Sequence, residues 1–251
     1  MPDHFRHVEH VMGTVFTLDI RSAPTAQARR TVREAALWLH HVDEVFSTYK
    51  PGSQISRLGR GELTVADCDP EVAVILRRCD ETAAISQGWF TTQIDGRLDP
   101  SGMVKGWAVE QVSRRLWAAG LRDHSVNGGG DVQVAGESAP GRPWRIGIAD
   151  PFRPGGLTAV VSGRDLAVAT SGTTERGRHI LDPRSGGPAT GLASVTLIGP
   201  RLTEIDAYAT AAFAMGAHAR EWIPSLDDVE AIAVTEDGQS WWTPGFPALR
   251  A

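Results

Sequence analysis

Cysteine is nearly missing from this 251-residue chain, which holds only Cys68 and Cys79. They are too far apart for a metal knuckle and have no partner cysteines. Two reduced thiols are expected, with Cys79 as a core residue on a helix. An excess of positive charge is missing too: the net charge is −5 and the isoelectric point about 5.9. That argues against a nucleic-acid surface, which needs a basic stripe. The pairs Arg29-Arg30, Arg77-Arg78 and Arg114-Arg115 each fall in a helical pattern and read as solvated helix faces. No apolar run is long enough to span a bilayer, which argues against membrane insertion. The opening residues lack the basic-then-apolar profile of a signal peptide and the first cysteine is residue 68, so neither a signal peptide nor an N-terminal lipid anchor is expected. A cytoplasmic protein is the expectation. No fixed-period repeat occurs either, so a solenoid is excluded.

What is present is an ordinary globular composition, 41% hydrophobic and 22% charged. Thr14–Ile20 alternates apolar and polar side chains, the pattern of a half-buried strand. From Thr25 to Phe46 apolar residues recur at three- and four-residue steps, which predicts a helix. A polar loop is expected from Pro51 to about Leu63. Asp69 as N-cap and Pro70 at the first helical position open a second helix that runs to Gly88. A third spans Val104–Ala119, closed by Gly120. Short β-like runs follow, among them Trp144–Ile148, Leu157–Val161 and Val195–Ile198, then a helix over Glu204–Met215 and a strand over Val229–Val234. Helices first and strands later, without strict alternation, predict an α+β fold. Mixed or antiparallel sheets flanked by amphipathic helices, in a single domain over 1–251 or two intimately packed subdomains, are expected.

Four segments place polar residues where packing alone would not want them. Asp99–Gly106 is a tight turn feeding a helix whose N-terminus, with Lys105 one turn in, favours a phosphate. A simple capped helix with Lys105 in solvent is the alternative. Asn127-Gly128-Gly129-Gly130-Asp131 has three glycines in a β context, so something should approach the backbone, unless the run is only a bulge or hairpin. It is neither a Walker loop nor a Rossmann fingerprint. Asn127 and Asp131 could hold that turn. Thr170–Thr173 and His179–Gly187 read as loops at strand ends, where sites are often built. In the last segment Asp206 and Thr210 stand four apart on an otherwise apolar helix, so their oxygens share one face. A buried carboxylate costs several kcal/mol unless paired or bound to a cation. The pair suits a hard ion such as Mg²⁺; an ion pair with an arginine such as Arg184 is the other solution.

In this order the segments, together with Met12-Gly13-Thr14 and Phe46–Pro51, resemble the FAD:protein FMN transferases of the ApbE family. The resemblance covers most of the chain. It implies the fold of that family and a Mg²⁺-dependent transfer of FMN from FAD to a serine or threonine of an acceptor protein, with release of AMP. It implies Asp206, Thr210 and the carbonyl of Gly102 as metal ligands. Flavin-nucleotide contacts fall on Met12, Tyr49, Trp89, Phe90, Thr91, Asp99, Lys105 and Leu181, and His179 matches the histidine that assists catalysis. Many members carry Asp where this chain has Thr91, and many are exported lipoproteins. Family acceptors carry a short Asp/Ser-Gly-Ala-Ser/Thr-like stretch.

In-line transfer at the FMN phosphorus then has Lys105 and the helix N-terminus holding negative charge. His179 takes the acceptor's proton, its ordinary pKa being near 6.5, and Tyr49 stacks on a cofactor ring. Two rival readings are a Mg²⁺-dependent FAD pyrophosphatase and a non-catalytic FAD-binding module.

Overall fold

The computed structural model describes residues 4–94, 96–173 and 180–251. The chain opens with the hairpin β1 (Phe5–Val11) and β2 (Thr14–Ile20), followed by the long helix α1 (Ala26–Phe46) and the short α2 (Gln54–Gly59). Next come α3 (Pro70–Ile85), a small ribbon of β3 (Gln93–Ile94) and β4 (Arg97–Leu98), and α4 (Ser101–Ala118). The strands β5 (His124–Gly128), β6 (Asp131–Ala135), β7 (Trp144–Ala149), β8 (Leu157–Gly163), β9 (Leu166–Gly172) and β10 (Leu192–Gly199) follow. Helix α5 (Leu202–Met215), the turn α6 (Ala219–Trp222), strands β11 (Glu230–Thr235) and β12 (Ser240–Trp242), and the turn α7 (Phe246–Leu249) complete it.

Eight strands form one sheet in the order β1-β2-β5-β6-β9-β10-β11-β12, and every pairing in it is antiparallel. The fold class is therefore α+β, as the pattern of elements predicts. β7 and β8 form a separate two-stranded ribbon. Alternation along the strands sorts side chains between the two faces of the sheet. Val126, Ala167, Ala169, Val195, Leu197, Ala231 and Ala233 join the large core built with the helices. Val132, Val134, Val168, Ile198 and Ile232 face a second, smaller core closed by Trp144, Ile148, Val161 and Phe246. The interior strand β10 is buried on both faces, and its run is apolar except for the small Ser194 and Thr196.

Local signals account for most element ends. Thr25 caps α1 by accepting the amide of Ala28 at 3.1 Å, and Asp69 caps α3 by accepting that of Glu71 at 3.1 Å, with Pro70 next in line. Cys79 lies in the core, where burial pushes its thiol up to about 12. Three expectations change. The loop after Pro51 contains the helix α2, started by Ser53 as N-cap. Helix α4 begins at Ser101 rather than Val104, because Asp99 Oδ1 accepts the Ser101 amide at 2.9 Å and extends the cap backward. α3 ends at Ile85, where Gln87 and Gly88 turn left-handed and stop it.

The glycine-rich segment is a hairpin. Gly129 and Gly130 form its two-residue turn at φ +61° and +96°, the conformation that tight hairpins need. Asn127 Oδ1 holds it by accepting the Gly130 amide at 3.1 Å. What approaches the backbone is a helix: a Cβ at Gly128 would stand 2.6 Å from Val109 Cγ2 of α4. Among the described residues no helix is long and apolar enough to cross a membrane.

Candidate functional site

Helix α5 is apolar over most of its surface and packs against α4 and the sheet, which carries Asp206 into the interior. Asp206 is 4% exposed, and Thr210 lies one turn on and is half-buried. The facing helix α4 comes very close because it presents glycines. A Cβ at Gly102 would stand 3.7 Å from Thr210 Oγ1 and 3.2 Å from a ring carbon of Phe90. A Cβ at Gly106 would stand 2.5 Å from the Leu202 carbonyl and 2.6 Å from Asp206 Cβ. Residues 102, 206 and 210, a hundred apart in sequence, thus meet at one crossing of two helices.

The hydrogen bonds at the crossing are unusual for a helix start. The Gly106 amide donates to Asp206 Oδ2 at 2.8 Å. A carbonyl oxygen has two lone pairs, so the Gly102 oxygen at the start of α4 can accept a partner besides a helix amide. Asp206 Oδ1 lies 3.1 Å from Lys105 Nζ. Lys105 also contacts Asp131 Oδ2, and Asp131 is 2% exposed. The buried Asp206 therefore pairs with Lys105, not with Arg184, whose guanidinium stacks 4.1 Å over the Trp89 ring. Nor does Lys105 extend freely into solvent, as a simple capped helix would have it. The free amides expected at the α4 N-terminus are also fewer: Asp99 takes that of Ser101, and the Pro100 carbonyl takes those of Met103 and Val104. The carboxylate of Asp206, the hydroxyl of Thr210 and the carbonyl of Gly102 are all hard oxygen donors, a set that fits Mg²⁺ rather than a soft metal.

Of the remaining expected contacts among the described residues, only Phe90 is seen to meet the crossing, at Gly102. Trp89 walls a cavity of about 370 Å³ with Arg184, Met215, His218 and Trp222. Phe90 is 2% exposed and its ring is a core group, so the segment presents mainly Trp89 and backbone. Thr91 Oγ1 accepts the Gln93 amide at 3.0 Å. Met12 occupies the β1–β2 turn at φ +55°, a left-handed conformation that a non-glycine residue adopts only under constraint. Leu181 pairs with Pro188 across the small 180–189 loop. Tyr49 stands apart: it is 90% exposed, and its side chain has no hydrogen-bond partner among the described residues. His179 lies outside the described residues.

Sequence reading missed three residues that build the site. From sequence Asp131 reads only as a holder of the glycine turn. Its Oδ1 does accept the Thr170 amide at 2.9 Å, but its other oxygen meets Lys105. The available signal was its strand, Asp131–Ala135, buried at every position, in which a lone carboxylate demands a partner. Nothing in the local sequence marks Glu110 or Gln133. Arg201, the N-cap of α5, makes no side-chain cap. Instead Glu110 Oε2 accepts the amide and hydroxyl of Thr203 at 3.0 and 2.5 Å, and Gln133 Oε1 accepts the Leu202 amide at 2.9 Å. The α5 N-terminus is thus capped by side chains from α4 and β6, which sets the register of the two helices.

Comparison with known proteins bears on what this crossing is for. The chain is 27% identical to the FAD:protein FMN transferase of Rhodobacter capsulatus, in an alignment covering 95% of this chain and 59% of that protein. It is 36% identical to the enzyme of the same name from Treponema pallidum over 48% of this chain and 38% of that protein. The chain thus spans about two fifths to three fifths of the length of these relatives. In fold it is similar to the ApbE protein of Thermotoga maritima, with a TM-score of 0.89 at 21% identity over 99% of this chain and 100% of that one. The flavin transferase ApbE of Vibrio cholerae gives a TM-score of 0.86 at 19% identity, covering 98% and 99% of the two chains. The model of the ApbE family matches residues 12–96 and 91–233, a span containing both faces of the α4–α5 crossing, and the chain belongs to that family.

Proposed function

We propose that this chain transfers the FMN moiety of FAD to a serine or threonine hydroxyl of an acceptor protein, with release of AMP. The observation that carries the reading is the meeting of Asp206, Thr210 and Gly102 at a helix crossing, beside a lysine. The relatives named FAD:protein FMN transferase support the same activity.

Asp206, Thr210 and the Gly102 carbonyl are the groups that would hold Mg²⁺. When bound there, the ion neutralises charge on the pyrophosphate oxygens. Lys105 adds a fixed positive charge at the same place, already oriented by two carboxylates and so needing little reorganisation. The cavity beside Trp89 offers an aromatic wall and the Arg184 cation to a planar ring. Met12, Tyr49, Thr91, Asp99 and Leu181 complete the proposed nucleotide contacts. His179 accepts the proton of the acceptor hydroxyl as its oxygen bonds to the FMN phosphorus. The bond from that phosphorus to the AMP oxygen breaks, and AMP leaves as the phosphate monoester.

The test is incubation of the purified chain with FAD, Mg²⁺ and a candidate acceptor domain carrying the short Ser/Thr motif. Denaturing electrophoresis with in-gel flavin fluorescence should light the acceptor band, with AMP released in equal amount. Chelation and Asp206→Ala should both abolish the signal. FMN and AMP formed without acceptor labelling would assign hydrolysis instead, and retained FAD without AMP would assign a binding module.

A further inference from the structure

Lys105 is shared between two buried carboxylates that are arranged alike. Asp206 gives Oδ2 to the Gly106 amide and Oδ1 to the lysine. Asp131 gives Oδ1 to the Thr170 amide and Oδ2 to the lysine. Each carboxylate is thereby fixed by backbone from a different element, and the ammonium lies between them. Its side chain is 23% exposed, against 3% for Asp131 and 6% for Asp206, so the pair cannot swing out to find other partners.

Under the reading above, on which this inference rests, Asp206 also ligates a divalent cation. An ammonium and a divalent cation repel, and both would draw on Asp206 Oδ1. Only the second carboxylate lets the lysine remain at the site when Asp206 is taken. We propose that Asp131 is a positioning residue that retains Lys105 beside the cation seat, and that Lys105 competes with the divalent cation for Asp206. Asp131 then acts on metal binding through the lysine rather than as a ligand.

Mn²⁺ binding without nucleotide, followed by electron paramagnetic resonance titration, tests this apart from catalysis. Asp206→Ala should abolish binding to the otherwise unaltered protein; unchanged binding there would sink the metal assignment and this proposal together. With that established, Lys105→Met should bind Mn²⁺ more tightly than the unaltered protein, although it loses a group proposed to hold the substrate. Asp131→Asn keeps an oxygen for the Thr170 amide and should weaken Mn²⁺ by about 10-fold. In the Lys105→Met background the same change should have an effect within about twofold. An Asp131→Asn effect of equal size in both backgrounds would make Asp131 a direct ligand and overturn the proposal. Unchanged or weaker Mn²⁺ affinity in Lys105→Met alone also overturns it, whatever the fate of the Asp131 variant, while leaving the metal assignment standing.

Discussion

Gly106 gives its amide to Asp206 at 2.8 Å across the α4–α5 crossing, and there is no room at 106 for even one more carbon. The glycine is there because two backbones approach, and the approach is what lets a helix amide reach a carboxylate on the neighbouring helix.

Gly106→Ala should therefore force the helices apart. The nearest obstacle is the Leu202 carbonyl, which is backbone and cannot rotate away. We expect a loss of about 1–3 kcal/mol of stability, the usual range for overpacking, together with weaker Mn²⁺ binding. Urea denaturation and metal titration would check the two effects separately.

Glu110 ties α4 to the start of α5 through Thr203, and Arg114 covers its other oxygen at 2.5 Å. Glu110→Ala leaves the buried Thr203 amide without its acceptor and should cost about 1–3 kcal/mol. Glu110→Gln keeps one acceptor oxygen and should cost less. Equal losses for both variants, measured by chemical denaturation, would remove the capping role.

The proposed mechanism assigns His179 as the proton acceptor. His179→Ala should slow flavin transfer by roughly 10²–10⁴-fold, with FAD binding largely kept. Single-turnover rates and FAD titration together decide it; a near-normal rate removes the residue from the chemistry.

His124 predicts a pH dependence of stability. It is fully buried, its Nδ1–H donates to the Leu121 carbonyl at 2.7 Å, and its Nε2 accepts from Ser113 Oγ at 2.7 Å. Burial pushes its pKa below the ordinary 6.5, against a smaller raising effect of the Leu121 hydrogen bond. Below about pH 6.5 the unfolded chain takes up a proton that the folded chain refuses, so stability falls as pH falls toward the folded value. His124→Gln should be less stable near neutrality but show a flatter slope below about pH 6.5. Parallel slopes in guanidinium titrations would count against the buried histidine as the cause.

Much of this protein was legible in its sequence because the signals are local. Thr25, Asp69 and Pro70 mark helix starts through hydrogen bonds that reach only three residues along the chain. The spacing of Asp206 and Thr210 puts both on one face whatever the helix packs against. The apolar sequence around them already required burial, and hence a partner, for the carboxylate. Sequence could not name that partner. Lys105 rather than Arg184 was settled by which helix crosses α5, and the crossing depends on Gly102 and Gly106 lacking side chains at the point of contact. Asp131 joined the site only when β6 was laid next to β9 in the sheet. Periodicity and caps act within a few residues and determined the elements. The cation, its two carboxylates and the shared cap on α5 come from segments up to about a hundred residues apart, and close packing alone brought them together.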